Sequence, residues 1–222
     1  MKQWNKIFKQ QGKVFLKPHE DMAKVVEVFK KHKVKKVLDL GSGSGRHVIY
    51  LARNGFDVYG IDIAGEGIRI TNDWLKKEKL HANLKIGSIY EKLPYEDNFL
   101  DAIISTSVIH HEKIENIRKT IREIERILKP KGLIFITVRR RQFRNWPKFK
   151  ITEQYDKRQT KYKIVGPRTY MPLDGGEKGL IHYLFNKETI RQEFRHFKID
   201  KIWIDYNRRH YCFLGELTSL SR

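Results

Sequence analysis

The sequence predicts an α/β fold organised as a doubly wound sheet, and three observations predict it. Short apolar runs alternate with stretches of helical periodicity from residue 36 to residue 138. A glycine-rich turn, Gly41-Ser42-Gly43-Ser44-Gly45, lies between the first run and the first helical stretch. An acidic residue, Asp62, ends the second run. Strand, glycine turn, helix and acid-tipped strand make half of a nucleotide site in a doubly wound sheet.

The elements follow in order. Trp4, Ile7 and Phe8, then Met22, Val25, Val26, Val28 and Phe29, fall at helical spacing, with Gly12 and Pro18 between the two groups. Residues 1–35 therefore read as a helical lead-in. Val37, Leu38 and Leu40 form the first strand. Glycine lets the following turn bend sharply and lets backbone approach a ligand, and the turn opens a helix carrying Val48, Ile49, Leu51 and Ala52. Val58, Tyr59 and Ile61 form the second strand, whose terminal Asp62 is placed to accept hydrogen bonds from ribose hydroxyls. Residues 65–79 form a helix and Leu84 to Ile86 a strand. Leu93 to Asp101 is a loop into a fourth strand, Ala102 to Thr106. Ile114, Ile117, Ile121, Ile124 and Leu128 mark an amphipathic helix ended by Lys129-Pro130-Lys131-Gly132, and Leu133 to Val138 is strand five. Asn186 caps a helix to Phe197; Ile199 to Tyr206 and Tyr211 to Leu217 are strands joined by Asn207-Arg208-Arg209.

The chain has 222 residues, 40% of them hydrophobic, which suits one domain with an inserted cap. No stretch has the length of a membrane span, and no signal peptide is indicated. Cys212 is the single cysteine, read as inert core, so no intramolecular disulfide forms; this fits a reducing cytoplasm. The net charge of +20 is uneven. Residues 1–36 carry 11 Lys and Arg against 3 Asp and Glu, and residues 139–168 carry 11 against 2. Residues 37–138 carry 15 against 14. Two readings stand: a solvated lysine-rich surface, or a positive field around an anionic substrate.

The turn separates two cofactor classes. A dinucleotide site places its third glycine where Arg46 stands. Here Asp39 precedes Gly41 by two, and the glycines run Gly41, Gly43, Gly45. This pattern, with Asp62, the Leu93-Pro94-Tyr95-Glu96-Asp97-Asn98-Phe99-Leu100-Asp101 segment and the helix, Pro-x-Gly turn and strand of 114–138, resembles the class I S-adenosylmethionine (SAM) methyltransferases. The resemblance covers about residues 36–138, with a weaker match at the C-terminus. It implies a seven-stranded sheet, mostly parallel with an antiparallel last strand, carrying a cap after strand five. The organisation is then 1–35 lead-in, 36–138 cofactor core, 139–185 substrate cap, and 186–222 helix and strand hairpin completing the core. It also implies that Asp39, Gly41, Ser42, Gly43, Gly45, Asp62, Ile63, Ser88, Ile89 and Ser105 line the cofactor site, Ile89 lying against the adenine. Many family members carry an acidic residue where Ser88 stands.

The acceptor side is open at the end of strand four, in Ser105-Thr106-Ser107-Val108-Ile109-His110-His111. One histidine of the pair orients the acceptor or takes its proton, or else His110 and His111 brace the cleft wall. Trp4 and Tyr95 are candidates for an aromatic beside the sulfonium, and Trp4 or Phe8 for closing the site. In the cap, Arg139, Arg140, Arg141 and Arg144 open a stretch interleaving Phe143, Trp146, Phe149, Tyr155, Tyr162 and Tyr170 with basic side chains; Glu177, His182 and Tyr183 are further polar lining. No His, Cys or Asp cluster has metal-ligand spacing. No Asn/Asp-Pro-Pro-Tyr/Phe motif follows strand four, and Cys212 is misplaced for a cytosine C5 nucleophile. The expected function is direct methyl transfer from SAM. Chain length and the cap favour a small anionic acceptor. The basic flanks, and a resemblance of the strand-four region to tRNA wobble-modifying methyltransferases, favour RNA. A protein acceptor, a non-catalytic SAM- or nucleic-acid-binding module and a dinucleotide oxidoreductase are the remaining alternatives.

Overall fold

The computed structural model describes residues 2–14, 16–140, 153–155 and 161–218. Arg141, Phe143, Arg144, Trp146, Lys148, Phe149, Lys150, Lys157 and Arg158, which the basic and aromatic reading of the cap invokes, lie outside them. Two helices lead in, α1 (Lys2–Gln11) and α2 (Met22–Lys31). The alternating region follows as β1 (Lys36–Leu40), α3 (Arg46–Arg53), β2 (Asp57–Asp62), α4 (Gly65–Glu78), β3 (Asn83–Ile86), β4 (Leu100–Thr106), α5 (Ile114–Ile127) and β5 (Leu128–Arg139). Short strands β6 (Glu153–Tyr155), β7 (Lys161–Gly166), β8 (Thr169–Pro172) and β9 (His182–Tyr183) make a separate antiparallel sheet. Helix α6 (Lys187–Glu193) and strands β10 (Phe197–Lys198), β11 (Ile202–Ile204) and β12 (His210–Leu217) complete the chain.

The main sheet runs β10-β12-β5-β4-β1-β2-β3, with β11 also paired to β12. Pairs among β1 to β5 are parallel, and those involving β12 are antiparallel. The central strands β1 and β4, and β5 from Leu133 on, are buried because both faces are covered, whereas β3 at the margin is largely exposed. Side chains alternate between faces at every residue. In β5, Ile134, Ile136 and Val138 join a core with Ile117, Ile121 and Ile124 of α5, while Leu133 and Phe135 join the opposite core with Val25, Val26 and Phe29 of α2. Burying each such side chain stabilises the fold by about 1.5–3 kcal/mol.

Two boundaries differ from the sequence reading. The Lys129-Pro130-Lys131-Gly132 segment does not separate α5 from strand five. Strand β5 starts at Leu128, where the helix stops, and the register jumps from Leu100↔Leu128 to Ala102↔Leu133. Lys131 takes a φ of 65°, which accommodates the irregularity within the strand. The helix after Asn186 ends at Glu193 rather than Phe197, because Phe197 and Lys198 pair with Leu217 and Glu216. The expected sixth strand, Ile199 to Tyr206, shortens to β11, and β10, formed ahead of it where the helix stops early, is the additional strand of the eight.

The cap at Asn186 forms as expected. Asn186 Oδ1 accepts the Thr189 N–H at 2.7 Å, and Thr189 Oγ1 accepts the Asn186 N–H at 2.9 Å. In a helix of 7 residues this pair carries much of the local order. Asn186→Ala is expected to cost about 1 kcal/mol, read from the urea midpoint at unchanged slope.

Among the described residues no helix is long and apolar enough to cross a membrane.

Candidate functional site

The site lies where β1, β2 and β4 end side by side. Gly41, Gly43 and Gly45 all have positive φ, at 85°, 56° and 91°. A Cβ at Gly41 would meet Val108 at 2.5 Å, and one at Gly45 would meet Thr71 at 2.5 Å. Backbone conformation and space together demand glycine there. The loop is tied to β2: the N–H groups of Gly41 and Ser42 donate to the Ile61 carbonyl at 2.9 and 3.0 Å.

Asp62 organises the loop. Its carboxylate accepts the Gly43 N–H at 2.8 Å and the Ala64 N–H at 2.8 Å. Burial raises its pKa, while backbone donors at Ala64, Gly43 and Ile63 hold it back. Asp39 contrasts with it. It is fully buried, and neither carboxylate oxygen has a hydrogen-bond partner among the described residues. Desolvation pushes its pKa up to about 7, with Arg46 opposing and Asp62 adding to the rise. The Ser42 hydroxyl is likewise buried without a partner.

Ile63 is half-buried beside Asp62. Ser88 is half-buried and its hydroxyl accepts the Tyr90 N–H at 3.2 Å. Ile89 is packed into the core, and its carbonyl accepts the Thr120 hydroxyl at 2.8 Å. Ser105 is buried and donates to the Leu40 carbonyl at 2.8 Å, joining the ends of β4 and β1. Tyr95 packs against Tyr59 and Phe99, where burial raises its pKa to about 12. Trp4 instead lies at the histidine wall, edge-on to His111 with centroids 5.8 Å apart.

Beyond β4 the chain turns through Ser107, whose φ is 60° and whose N–H donates to Thr137 Oγ1 at 2.8 Å. Tyr90 Oη donates to the Val108 and Ile109 carbonyls at 3.3 Å each. The turn delivers His110 and His111 to the cleft, ring centroids 4.3 Å apart. The small sheet seats on them, as the Tyr183 N–H donates to the His110 carbonyl at 2.8 Å. This places His182 4.6 Å from His111, ring to ring, with Tyr170 stacked on its other side at 4.8 Å. Burial drives the pKa of His110 well below its ordinary value, that of His111 to about 4 and that of His182 to about 2. All three rings are therefore neutral at pH 7.

Three residues of the site escaped sequence reasoning. His47 is buried in the first turn of α3, accepts the His19 N–H at 3.0 Å and lies 3.9 Å from Asp39. The sequence signal is a polar residue immediately before the apolar Val48 and Ile49 of a helix. Gly67 of α4 presses on the loop: a Cβ there would meet the Gly43 carbonyl oxygen at 2.6 Å. His210, held by Asp205 at 2.9 Å, comes within 5.6 Å of His110, ring to ring. Helix α1 covers the loop, with Phe8 buried among Ala64 and Ile70 and Gln3 donating to the Gly176 carbonyl at 3.0 Å.

Residues 38–136 match the family model described as a methyltransferase domain. Over 104 residues, 46% of this chain and 23% of the relative, the chain is 39% identical to the tRNA (carboxymethyluridine(34)-5-O)-methyltransferase of Arabidopsis thaliana. Over 101 residues it is 33% identical to the ubiquinone biosynthesis O-methyltransferase of Pelagibacter ubique, covering 46% of this chain and 40% of that one. These matches span less than half of either curated relative. An S-adenosylmethionine-dependent methyltransferase from Clostridium acetobutylicum shares the fold, with a TM-score of 0.68 at 12% identity over 96% of this chain and 97% of that one. The glycine loop and its acidic anchors lie within residues 38–136, the part of the chain that is similar to a methyltransferase domain.

Proposed function

We propose that the protein transfers a methyl group from SAM to a small anionic acceptor that enters against His110 and His111. The observation that carries this reading is the glycine loop flanked by two buried carboxylates, one hydrogen-bonded to it and one without a hydrogen-bond partner among the described residues. The residues fit the cofactor. Asp62 has lone pairs left for ribose hydroxyls; Gly41, Ser42, Gly43 and Gly45 form the tight loop that presents its backbone to the cofactor; Asp39 meets a cationic amino group. Ile63, Ser88 and Ile89 flank the adenine position, and Ser105 keeps the strand ends together. When bound, the cofactor supplies a methyl already activated by a sulfonium. The protein's part is then alignment and exclusion of water. Phe8 on α1 covers the glycine loop, Trp4 abuts the histidine wall, and the small sheet of β7, β8 and β9 closes the acceptor side. Neutral His110 or His111 offers a lone pair for an acceptor proton. The single buried cysteine fits a cytoplasmic setting.

A second reading is a tRNA acceptor, supported by the basic flanks and by the 39% identity to the Arabidopsis tRNA enzyme. Methyl-labelled SAM offered with unmodified total tRNA, with a metabolite extract, or with the protein alone separates the two. Label confined to the metabolite fraction is the expected result. Label in tRNA that falls when Lys and Arg of 139–168 are neutralised replaces it with the RNA reading, and no label in any fraction leaves a binding module.

Asp39 gives this site a pH dependence. With a pKa raised to about 7, it is neutral below that pH and anionic above it. A cationic amino group binds the anion, so binding at low pH requires loss of a proton. SAM affinity is expected to rise about tenfold from pH 6 to pH 8 by calorimetry, and Asp39→Asn to flatten the profile. A profile that stays steep in Asp39→Asn assigns the titration elsewhere.

A further inference from the structure

Three imidazoles converge beside the glycine loop, and four of their nitrogens have no hydrogen-bond partner among the described residues. His110 and His111 come from the turn after β4, and His182 from β9 of the small sheet. One nitrogen from each lies within 4.8 Å of the others. His110 and His182 are each 1% exposed. The Nδ1 atoms of all three, and Nε2 of His182, are buried without a hydrogen-bond partner. A buried polar atom without a partner is destabilising, so four in one place call for an occupant.

The chemistry narrows the occupant. A shared proton is disfavoured by burial and by the neighbouring rings. Neutral imidazoles present lone pairs, the form in which histidine binds a metal ion. The rings are also held in place. Tyr170 stacks on His182, the Tyr183 N–H fixes the His110 carbonyl, and Trp4 abuts His111. His210 has its Nδ1 on Asp205 and stands outside the set.

We propose that His110, His111 and His182 bind a divalent transition-metal ion, zinc by the character of the ligands, with the Glu177 carboxylate beside the open fourth position. Glu177 lies 3.6 Å from His182 Nε2. Zinc–nitrogen bonds of about 2.0–2.1 Å put tetrahedral ligand atoms roughly 3.4 Å apart, so the rings close in by on the order of 1 Å through side-chain rotation. Three histidines with one exchangeable position is the ligand arrangement of a reactive zinc, not of a closed structural one. The ion would sit where an anionic acceptor meets the histidine wall. The site itself does not depend on methyl transfer.

The test is a titration of the tag-free, chelator-stripped full chain with cobalt(II) and with zinc. Cobalt is expected to give the ligand-field bands of a tetrahedral nitrogen site, and zinc to displace it at one equivalent. His182→Ala and His111→Ala should each weaken binding by more than about 100-fold and abolish the bands. His81→Ala, at an exposed position, should change neither. An octahedral cobalt spectrum, failure to retain zinc after dialysis, or binding that survives both substitutions overturns the proposal. If a variant loses its cooperative melt, the wild-type cobalt spectrum alone decides. Since the readout is metal binding, a failed methyl-transfer assay leaves it intact, and a failed titration leaves methyl transfer intact.

Discussion

Asp62→Ala is expected to weaken SAM binding by more than about 100-fold, because hydrogen bonds to a charged group are worth roughly 1.5–3 kcal/mol each and two organise the loop. The carboxylate holds Gly43 and Ala64 at 2.8 Å each, so its removal frees the middle of the glycine loop and the start of α4 together. It also removes the acceptor proposed for the ribose hydroxyls. Isothermal calorimetry with SAM reads the combined loss. Urea unfolding of the ligand-free protein reads the loop's share, expected at about 2–4 kcal/mol for two buried donors left unpaired. Asp62→Asn keeps one acceptor oxygen and should fall between. Unchanged SAM affinity in Asp62→Ala would remove the ribose assignment outright.

Gly67→Ala is the second substitution with a large expected effect, and two opposed terms decide its sign. Alanine is the better helix former by about 1 kcal/mol, and Gly67 lies inside α4. Against this, the new Cβ would stand 2.6 Å from the Gly43 carbonyl oxygen, 3.0 Å from its carbon and 3.2 Å from the Phe8 ring. The first two are backbone atoms of a loop pinned to Asp62 and cannot swing aside. Overpacking of this kind costs about 1–3 kcal/mol, so the clash is expected to win. The loop shifts off β2 and α1 loses its seat, giving a lower urea midpoint and a SAM affinity reduced at least tenfold. A variant that is stabilised and binds normally would mean that α4 slides freely over the loop.

How far the sequence carried the reading depended on whether the signal was local. The central parallel strands were legible because both of their faces are buried and read as apolar runs, as in Leu133 to Ile136. The Asn186 cap was legible because its partner Thr189 is three residues away. The glycine loop and Asp62 were legible because turn, helix and strand end lie within one unit. The start of β5 was not, because Pro130 and Gly132 look like a turn whether or not the backbone stays paired around them. The break between β10 and β11 was not, because it follows from the register of Phe197 on Leu217. The histidine group was the largest omission. His110 and His111 were named for the acceptor, but their meeting with His182 and His210 is made by the fold alone, and no spacing in the chain announces it. Gly67 carried no visible mark, since one glycine in a helical stretch is unremarkable until its neighbour is known.

The divided strand beside β12 has a consequence for how the molecule keeps to itself. A long, flat outer strand exposes a row of unpaired amides and carbonyls to any second chain that can add to it. Here that margin consists of two pieces, Phe197–Lys198 and Ile202–Ile204, separated by the polar Asp200 and Lys201. The opposite margin is the four-residue β3, where Lys85 folds over to donate to the Pro94 carbonyl at 2.9 Å. Each border is too short or too interrupted to template another strand, so an eight-stranded sheet with Ile86 bare at its rim is shielded from edge-to-edge aggregation.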